Sequence, residues 1–376
     1  MLYSNQRLKN TKLYKEHNKL QESLYKVSLQ KEAAQQKYLK EHIIINSATN
    51  EALNINYSFE KYYKKYTKSI EQKIYTIEAI AKEKDLEPVF MTLTLPSMYH
   101  PFQSIGYKGK RLYTALNSEF AFKNLEEAIE EGYEMLNHIY RTFYKRLKKE
   151  VKELMFIRVI EAHKTFVPHM HILFFIKSSK KKIFLKHHAN IVNEFNLSQT
   201  DLELKEDNEL LENENKNVVM GINRAAKYIT KYITKTLNDG EDYFTARVLD
   251  GYKRLYKMRM ITMSNLDLSL ADFRTIYYNL DIDTKEKLLA KAKSKERAIF
   301  HYIMENIYRV KIINSNAKTS IKKFGNIDKS ELILILQATQ INNHKGGYGL
   351  YIHNLKLFVN HKLIYDKPNF QTLRRN

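Results

Sequence analysis

No cysteine occurs among the 376 residues, which excludes disulfides and thiolate metal sites while saying little about compartment. Long apolar runs are missing too. The longest, such as ILFFI and LILIL, fall far short of the ~20 residues that cross a bilayer, so no membrane span is expected. The N-terminal stretch MLYSNQRLKNTKLYKEHNKL has no apolar h-region. No signal peptide is therefore expected, and the protein should stay where it is made. Glycine and proline are scarce while Asn, Ile, Tyr and Lys are common, the balance of an AT-rich genome. Acidic residues are also short: 42 Asp and Glu against 63 Lys and Arg leave a net charge of +21. Base composition would raise Glu and Asn as well, so the unbalanced charge calls for a polyanionic partner. Nucleic acid is the first candidate and a membrane surface the weaker one.

What is present supports a folded chain. A hydrophobic fraction of 43% is enough for a core, and the length suits one large domain or two to three smaller ones. Residues 1 to about 43 and about 58 to 85 carry apolar residues at helical spacing in a Lys-, Glu- and Tyr-rich background, predicting two solvated basic helices. At Pro88 the texture changes. PVFMTLTLP is β-branched, apolar and bounded by prolines, and predicts a strand. After a loop near 101–118, a long helix is expected over about 122–150. LMFIRVIEAH (154–163) and PHMHILFFI (168–176) then read as an antiparallel hairpin joined by the short link KTFV.

Farther on, IFLKHHANIVNEF predicts a helix, and DLELKEDNELLENENKN an acidic surface loop or short exposed helix. NVVMGI (217–222) predicts a short strand. NRAAKYITKYITKTL predicts a helix with Asn223 as its N-cap, and RLYKMRMITMS a basic extended segment. Residues from about 269 to 310 look helical again, before a Gly-rich turn, HKGGYG, and a hairpin, LKLFVNHKLIYD. The expected fold is α+β, a central antiparallel sheet with flanking helices. Its expected parts are a basic helical region (1–86), a central domain (87–268) and a helical and β-hairpin region (269–376).

Two residues in the hairpin carry the first chemical signal. His169 and His171 sit at i and i+2 on a strand, so they share a face while Met170 points the other way. Two adjacent imidazoles suit half of a divalent metal site. With 13 histidines in the chain, one H-x-H is unremarkable by itself. On the preceding strand, however, Glu161 and His163 share a face that the hairpin would bring beside the pair. Glu161 is the preferred third ligand and His163 its competitor. Two nitrogens and an oxygen suit Mn²⁺ or Mg²⁺ at a phosphate, with Zn²⁺ as the alternative.

The second signal is the fourfold repeat in AAKYITKYITKT. Tyr228 and Tyr232 lie one turn apart on one helix face. Lys231 and Lys235 flank them, and Ala226, Ile229 and Ile233 form an apolar stripe for packing. A phenol attacks a phosphodiester when a metal polarises the phosphoryl oxygens and cations offset its ionisation. An ordinary amphipathic helix in a chain with 27 tyrosines is the competing explanation.

FMTLTLP, PHMHILFF and KYITKYITK, in this order, resemble the three motifs of the HUH endonucleases. The tyrosine pair is similar to that of the two-tyrosine rolling-circle replication initiators, in the branch typified by the gene A proteins of single-stranded DNA phages. The resemblance covers about residues 88–235, with weaker similarity to about 265. The chain departs from it at one point: family members often carry glycine in the turn before the histidine pair, where this sequence has KTFV.

The resemblance implies a metal-dependent nicking and joining enzyme with His169, His171 and Glu161 at the metal and Tyr228 and Tyr232 as nucleophiles. It implies a 5′-phosphotyrosine link, a 3′-OH primer for host polymerase, and rejoining of the displaced strand by the second tyrosine. Single-stranded and origin DNA would be the partners, in the cytoplasm of a bacterial host. No GxxxxGK[ST] loop is present, so a helicase would come from the host. The alternatives are an HUH relaxase or transposase, or a non-enzymatic basic DNA-binding protein.

Overall fold

Residues 6–47, 49–107, 110–197, 201–203, 229, 243–265, 278, 282–283, 285–286, 309–314, 319–321, 331–342, 348–359, 362–366 and 370–374 are described by a computed structural model. The chain divides into two compact units, Met1–Ala33 with Phe59–Asn265, and Ala34–Ser58 with Leu266–Asn376.

In chain order the longer helices are α1 (Gln6–Lys9), α2 (Lys12–Glu41), α3 (Phe59–Glu83), α4 (Leu125–Glu150), α5 (Lys181–Glu194) and α6 (Tyr243–Leu255). The strands up to residue 265 are β1 (His42–Asn46), β2 (Ala52–Leu53), β3 (Glu87–Leu93), β4 (Phe102–Tyr107), β5 (Lys110–Leu116), β6 (Leu154–Ala162), β7 (Pro168–Ile176), β8 (Asp201–Glu203) and β9 (Ile261–Met263). The first unit is built on a five-stranded sheet of order β8-β3-β7-β6-β9, in which every pairing is antiparallel. This is the α+β architecture that the sequence pattern predicts.

The apolar run of β7 makes it the central strand. Seven of its nine residues are buried without a break from Met170 to Ile176, as a strand covered on both faces requires. Met170, Ile172, Phe174 and Ile176 join one core with Leu136, Ile139, Phe143 and Leu147 of α4. Phe143 stands edge-on to both Phe174 and Phe184, with ring centroids 5.6 and 5.1 Å apart, the arrangement that ring quadrupoles favour. Phe90, Ile157, Leu173 and Phe175, which alternate with those residues, are buried on the opposite face.

Local signals explain why α4 begins and ends where it does. The Asn124 side chain accepts the N–H of Glu127 at 2.9 Å, and the Glu127 carboxylate accepts that of Lys123 at 2.9 Å, a reciprocal cap. Glu126 and Glu127 in the first turn and Lys148 and Lys149 in the last complement the helix dipole.

Helix α6 lies against α2 at very short range. A Cβ at Gly251 would stand 1.9 Å from the Leu24 carbonyl oxygen, so no other residue fits there. The same pair is tied by Ser28 donating to Asp250 at 3.0 Å and by Arg247 donating to Glu32 at 2.7 Å.

Three segments differ from their sequence reading. The stretch expected as a loop near 101–118 is the hairpin β4–β5, its register shifted by a bulge between Ile105 and Gly106. That bulge breaks the alternation by which strands are recognised. RLYKMRMITMS begins as the end of α6 and is a strand only at Ile261–Met263. The acidic segment opens with β8, three residues pairing with the edge of β3.

In the second unit, β1 lies between β2 and β15 (Phe370–Arg374). A second sheet has the order β11-β10-β12-β13-β14, from β10 (Arg309–Asn314), β11 (Thr319–Ile321), β12 (Glu331–Asn342), β13 (Tyr348–Val359) and β14 (Lys362–Asp366). It is antiparallel except between β10 and β12. The hairpin read in LKLFVNHKLIYD is the β13–β14 pair, closing at Val359↔Lys362.

Candidate metal centre

The register of three strands assembles the histidine face. Glu161 pairs with His169 and Val159 with His171 across β6 and β7, while Thr92 of β3 pairs with His171 from the other side. Directly opposed residues share a face, so a carboxylate and a hydroxyl flank the two imidazoles. Met170 between them is fully buried in the α4 core, which holds the histidine-bearing backbone in place.

His171 is held at both ring nitrogens. Nε2 lies 2.8 Å from Glu161 Oε2 and Nδ1 lies 3.1 Å from the Thr92 hydroxyl. A carboxylate only accepts, so Nε2–H donates to Glu161, and in the neutral ring Nδ1 accepts from Thr92. The Phe90 ring stacks on the imidazole at 5.9 Å. The 2.8 Å separation of Nε2 and the carboxylate oxygen is close to the roughly 3 Å between adjacent ligands of an ion bound at about 2.1 Å in an octahedron.

His169 is different. Its Nδ1 lies 3.4 Å from the Thr94 hydroxyl, but Nε2 is buried with no hydrogen-bond partner. Burial, reinforced by His163, His100 and His171, lowers its pKa to about 2. The ring is neutral at physiological pH, the form in which imidazole binds a metal. When Nδ1–H is turned to Thr94, Nε2 keeps its lone pair, and the ring has two further histidines as close neighbours.

Those neighbours are His163 and His100. One ring nitrogen from each of His100, His163 and His169 falls in a group whose members all lie within 4.8 Å of one another. The His163 ring stacks on His169 at 4.8 Å, and His100 approaches His169 to 5.7 Å. His100 Nε2 donates to the Leu95 carbonyl at 3.3 Å, which directs Nδ1 away from that bond. Burial lowers the pKa of His100 against this hydrogen bond, so it too is held neutral.

Among the described residues His169 thus shares a donor group with His100 and His163, while His171 and Glu161 form a separate contact on the same sheet face. An orphaned buried nitrogen in a group of three imidazoles, beside the Glu161–His171 contact, fits a divalent cation. His100, Thr92 and Thr94 were not anticipated. The threonines had a signal, the i, i+2 spacing in FMTLTLP. His100 had none, being carried by the 3₁₀ turn Ser97–Tyr99, which Asn117 fastens by donating to the Ser97 and His100 carbonyls at 2.8 Å each.

The KTFV turn does without glycine by an unusual means. Phe166 has φ 65°, the left-handed conformation that glycine adopts freely and other residues rarely do. Its N–H donates to the His163 carbonyl at 2.8 Å and its carbonyl accepts the Tyr252 hydroxyl at 2.8 Å. The ring stacks on His17 at 5.0 Å, and His17 Nε2 in turn donates to the Lys164 carbonyl at 2.9 Å. Burial pushes the Tyr252 phenol well above its ordinary pKa, so it remains a donor. Helices α2 and α6 therefore clamp the turn that supports the histidines.

Tyr228, Tyr232, Lys231 and Lys235 lie outside the described residues, as does the strand expected at 217–222. Ile229, between the two tyrosines, is helical and buried. Among the described residues no helix is long and apolar enough to cross a membrane.

The model of one protein family, bacteriophage replication gene A protein (GPA), matches residues 7–240. No curated protein and no solved structure matches. The matched span takes in the N-terminal helices, the histidine hairpin and the tyrosine segment together.

Proposed function

From the premise that the chain belongs to the bacteriophage replication gene A protein family, and so to a family of phage replication initiators, we propose that it starts replication by nicking one origin strand with a tyrosine of the HUH two-tyrosine type. The observation that carries this reading is the buried, partnerless Nε2 of His169 on a face shared with His171 and Glu161. His169, His171 and Glu161 would hold Mg²⁺ or Mn²⁺, with His163 and His100 within reach of the same His169. The ion supplies Lewis-acid polarisation of the scissile phosphate.

The chain's own groups do the rest. The Oη of Tyr228 or Tyr232 attacks phosphorus, the bond to the 3′ oxygen breaks, and the phenol proton ends on the leaving 3′-OH. Lys231 and Lys235 offset the charge that develops on the phenol. The product is a 5′-phosphotyrosine and a 3′-OH primer for host polymerase, on a strand opened by a host helicase. After one round the second tyrosine cleaves the regenerated junction. The released 3′-OH then attacks the first phosphotyrosine, the bond to Oη breaks, and that phenol regains its proton. One phosphoester replaces another at each step, so no nucleotide cofactor is consumed. Apolar residues along β7 keep the histidines fixed, and a preorganised site of this kind needs no rearrangement during transfer.

The test is cleavage of origin-region single-stranded DNA with Mn²⁺ or Mg²⁺. His169→Ala is expected to abolish cleavage while leaving DNA binding nearly intact. Cleavage that persists in His169→Ala at wild-type rate, or in the presence of EDTA, contradicts the proposal.

A further inference from the structure

A second charged feature lies away from the histidine face. Helices α2 and α6 form the walls of an open groove of about 660 Å³, lined by Gln30 and Lys31 on one side and by Lys253, Arg254, Lys257 and Met258 on the other. Arg254 is neutralised by Asp250 at 2.7 Å. Lys31, Lys253 and Lys257 have no acidic partner among the described residues. Three unneutralised ammonium groups around one groove repel each other, an arrangement that a bound polyanion relieves.

Aromatic groups continue the groove on one side. The Lys253 ammonium lies over the Tyr66 ring, 5.2 Å from its centroid. Tyr66 is in turn parallel to Tyr62, with centroids 6.4 Å apart and planes 8° from one another. Tyr62 is 53% exposed, far more than packing on a core would leave it. A cationic track beside an exposed aromatic face is the composition with which proteins hold single-stranded nucleic acid, cations on the phosphates and rings under the bases.

The groove is linked to the metal centre through its own walls. His17 of α2 holds the Lys164 carbonyl in the turn before the histidine pair, and Lys31 follows it by 14 residues, about 20 Å along the helix. On α6, Tyr252 holds the Phe166 carbonyl of the same turn, and the next residue is Lys253. Helix α6 also lies past residue 240, beyond the span that the family model matches.

We infer that the groove between α2 and α6 binds single-stranded DNA that flanks the strand at the histidine face, with Lys31, Lys253 and Lys257 on phosphates and Tyr62 stacked under a base. The inference rests on the nicking proposal for its account of why a strand lies there, but its test does not require cleavage.

Binding of single-stranded oligonucleotides to the full chain is measured by fluorescence anisotropy in EDTA across a salt series. Each phosphate contact contributes about 0.7 to the salt slope on single strands. The variant Lys31→Gln/Lys253→Gln/Lys257→Gln is therefore expected to lower the slope by about 2 and to weaken binding roughly tenfold or more at moderate salt. A control of equal charge, Lys145→Gln/Lys149→Gln/Lys152→Gln on and just after α4, should change the slope by less than 1, as roughly one contact or none would. Tyr62→Ala should weaken single-strand binding about fivefold or more and leave duplex binding unchanged. Equal slopes for the groove and control variants overturn the inference. A loss that is the same on duplex and single strand, with Tyr62→Ala silent, overturns the single-strand assignment. Adduct formation with Mn²⁺ on the same strand reports separately on the nicking proposal, so the two can fail independently.

Discussion

The Glu161 carboxylate and the His171 imidazole meet at 2.8 Å, Oε2 to Nε2, across the two strands that form the histidine hairpin. Because Glu161 touches His171 directly, its removal is expected to weaken a metal site built on that histidine. Glu161→Gln is expected to lower Mn²⁺ affinity by roughly 10- to 100-fold, the usual cost of losing such a partner. Titration calorimetry measures this directly, and unchanged affinity would remove Glu161 from the centre.

His100 tests the other side of His169. Its ring is 5.7 Å from that of His169 and is held neutral by burial. His100→Ala is expected to weaken Mn²⁺ binding about tenfold or more, with the fold intact by circular dichroism. If affinity stays at the wild-type value, the ion lies on the Glu161 side of His169 without help from His100.

The left-handed Phe166 separates backbone from side-chain effects. Both Phe166→Ala and Phe166→Gly lose the buried ring and its stack on His17, but only alanine retains the cost of φ 65°. The glycine variant should be the more stable of the two by about 1 kcal/mol in urea unfolding. Greater stability of the alanine variant would mean that the turn does not hold this conformation in solution.

Glu32 gives a pH signature. Burial opposes its charge, but the Phe59 N–H and Arg247 outweigh that and hold its pKa below the ordinary value. A lowered carboxylate pKa stabilises the fold above the unfolded-state pKa, and the gain is lost as pH falls through the folded value. Glu32→Gln should therefore destabilise the protein at pH 7, by roughly 1–3 kcal/mol. The gap should close below about pH 4.5. A gap that does not narrow as the pH falls would assign the loss to something other than the charge.

The parts of this molecule that could be read from its sequence are those whose signal is local. A nine-residue apolar strand with two histidines in alternation, and its antiparallel neighbour across a five-residue link, are written in nearly consecutive residues, and so was the relation of Glu161 to His169. Helix α6 was not read, and it carries a glycine, Gly251, in its interior. Its reason for being there, the Leu24 carbonyl 1.9 Å from where a Cβ would be, belongs to a segment more than two hundred residues earlier. The conformation of Phe166 was hidden in the same way, since the groups that enforce it, His17 and Tyr252, are distant in sequence. His100 reaches the centre through a short turn fastened by Asn117, and no periodicity announces it.

The most direct test of the central claim is to trap the covalent product and identify the residue that carries it. Origin-region single-stranded DNA is incubated with the protein and Mn²⁺, the DNA is digested, and tryptic peptides are examined by mass spectrometry. A nucleotide joined through its 5′-phosphate to Tyr228 or Tyr232 is expected, with no adduct in the Tyr228→Phe/Tyr232→Phe variant. The account is contradicted if the adduct lies on another residue, survives loss of both tyrosines, or forms on no strand of the cognate origin.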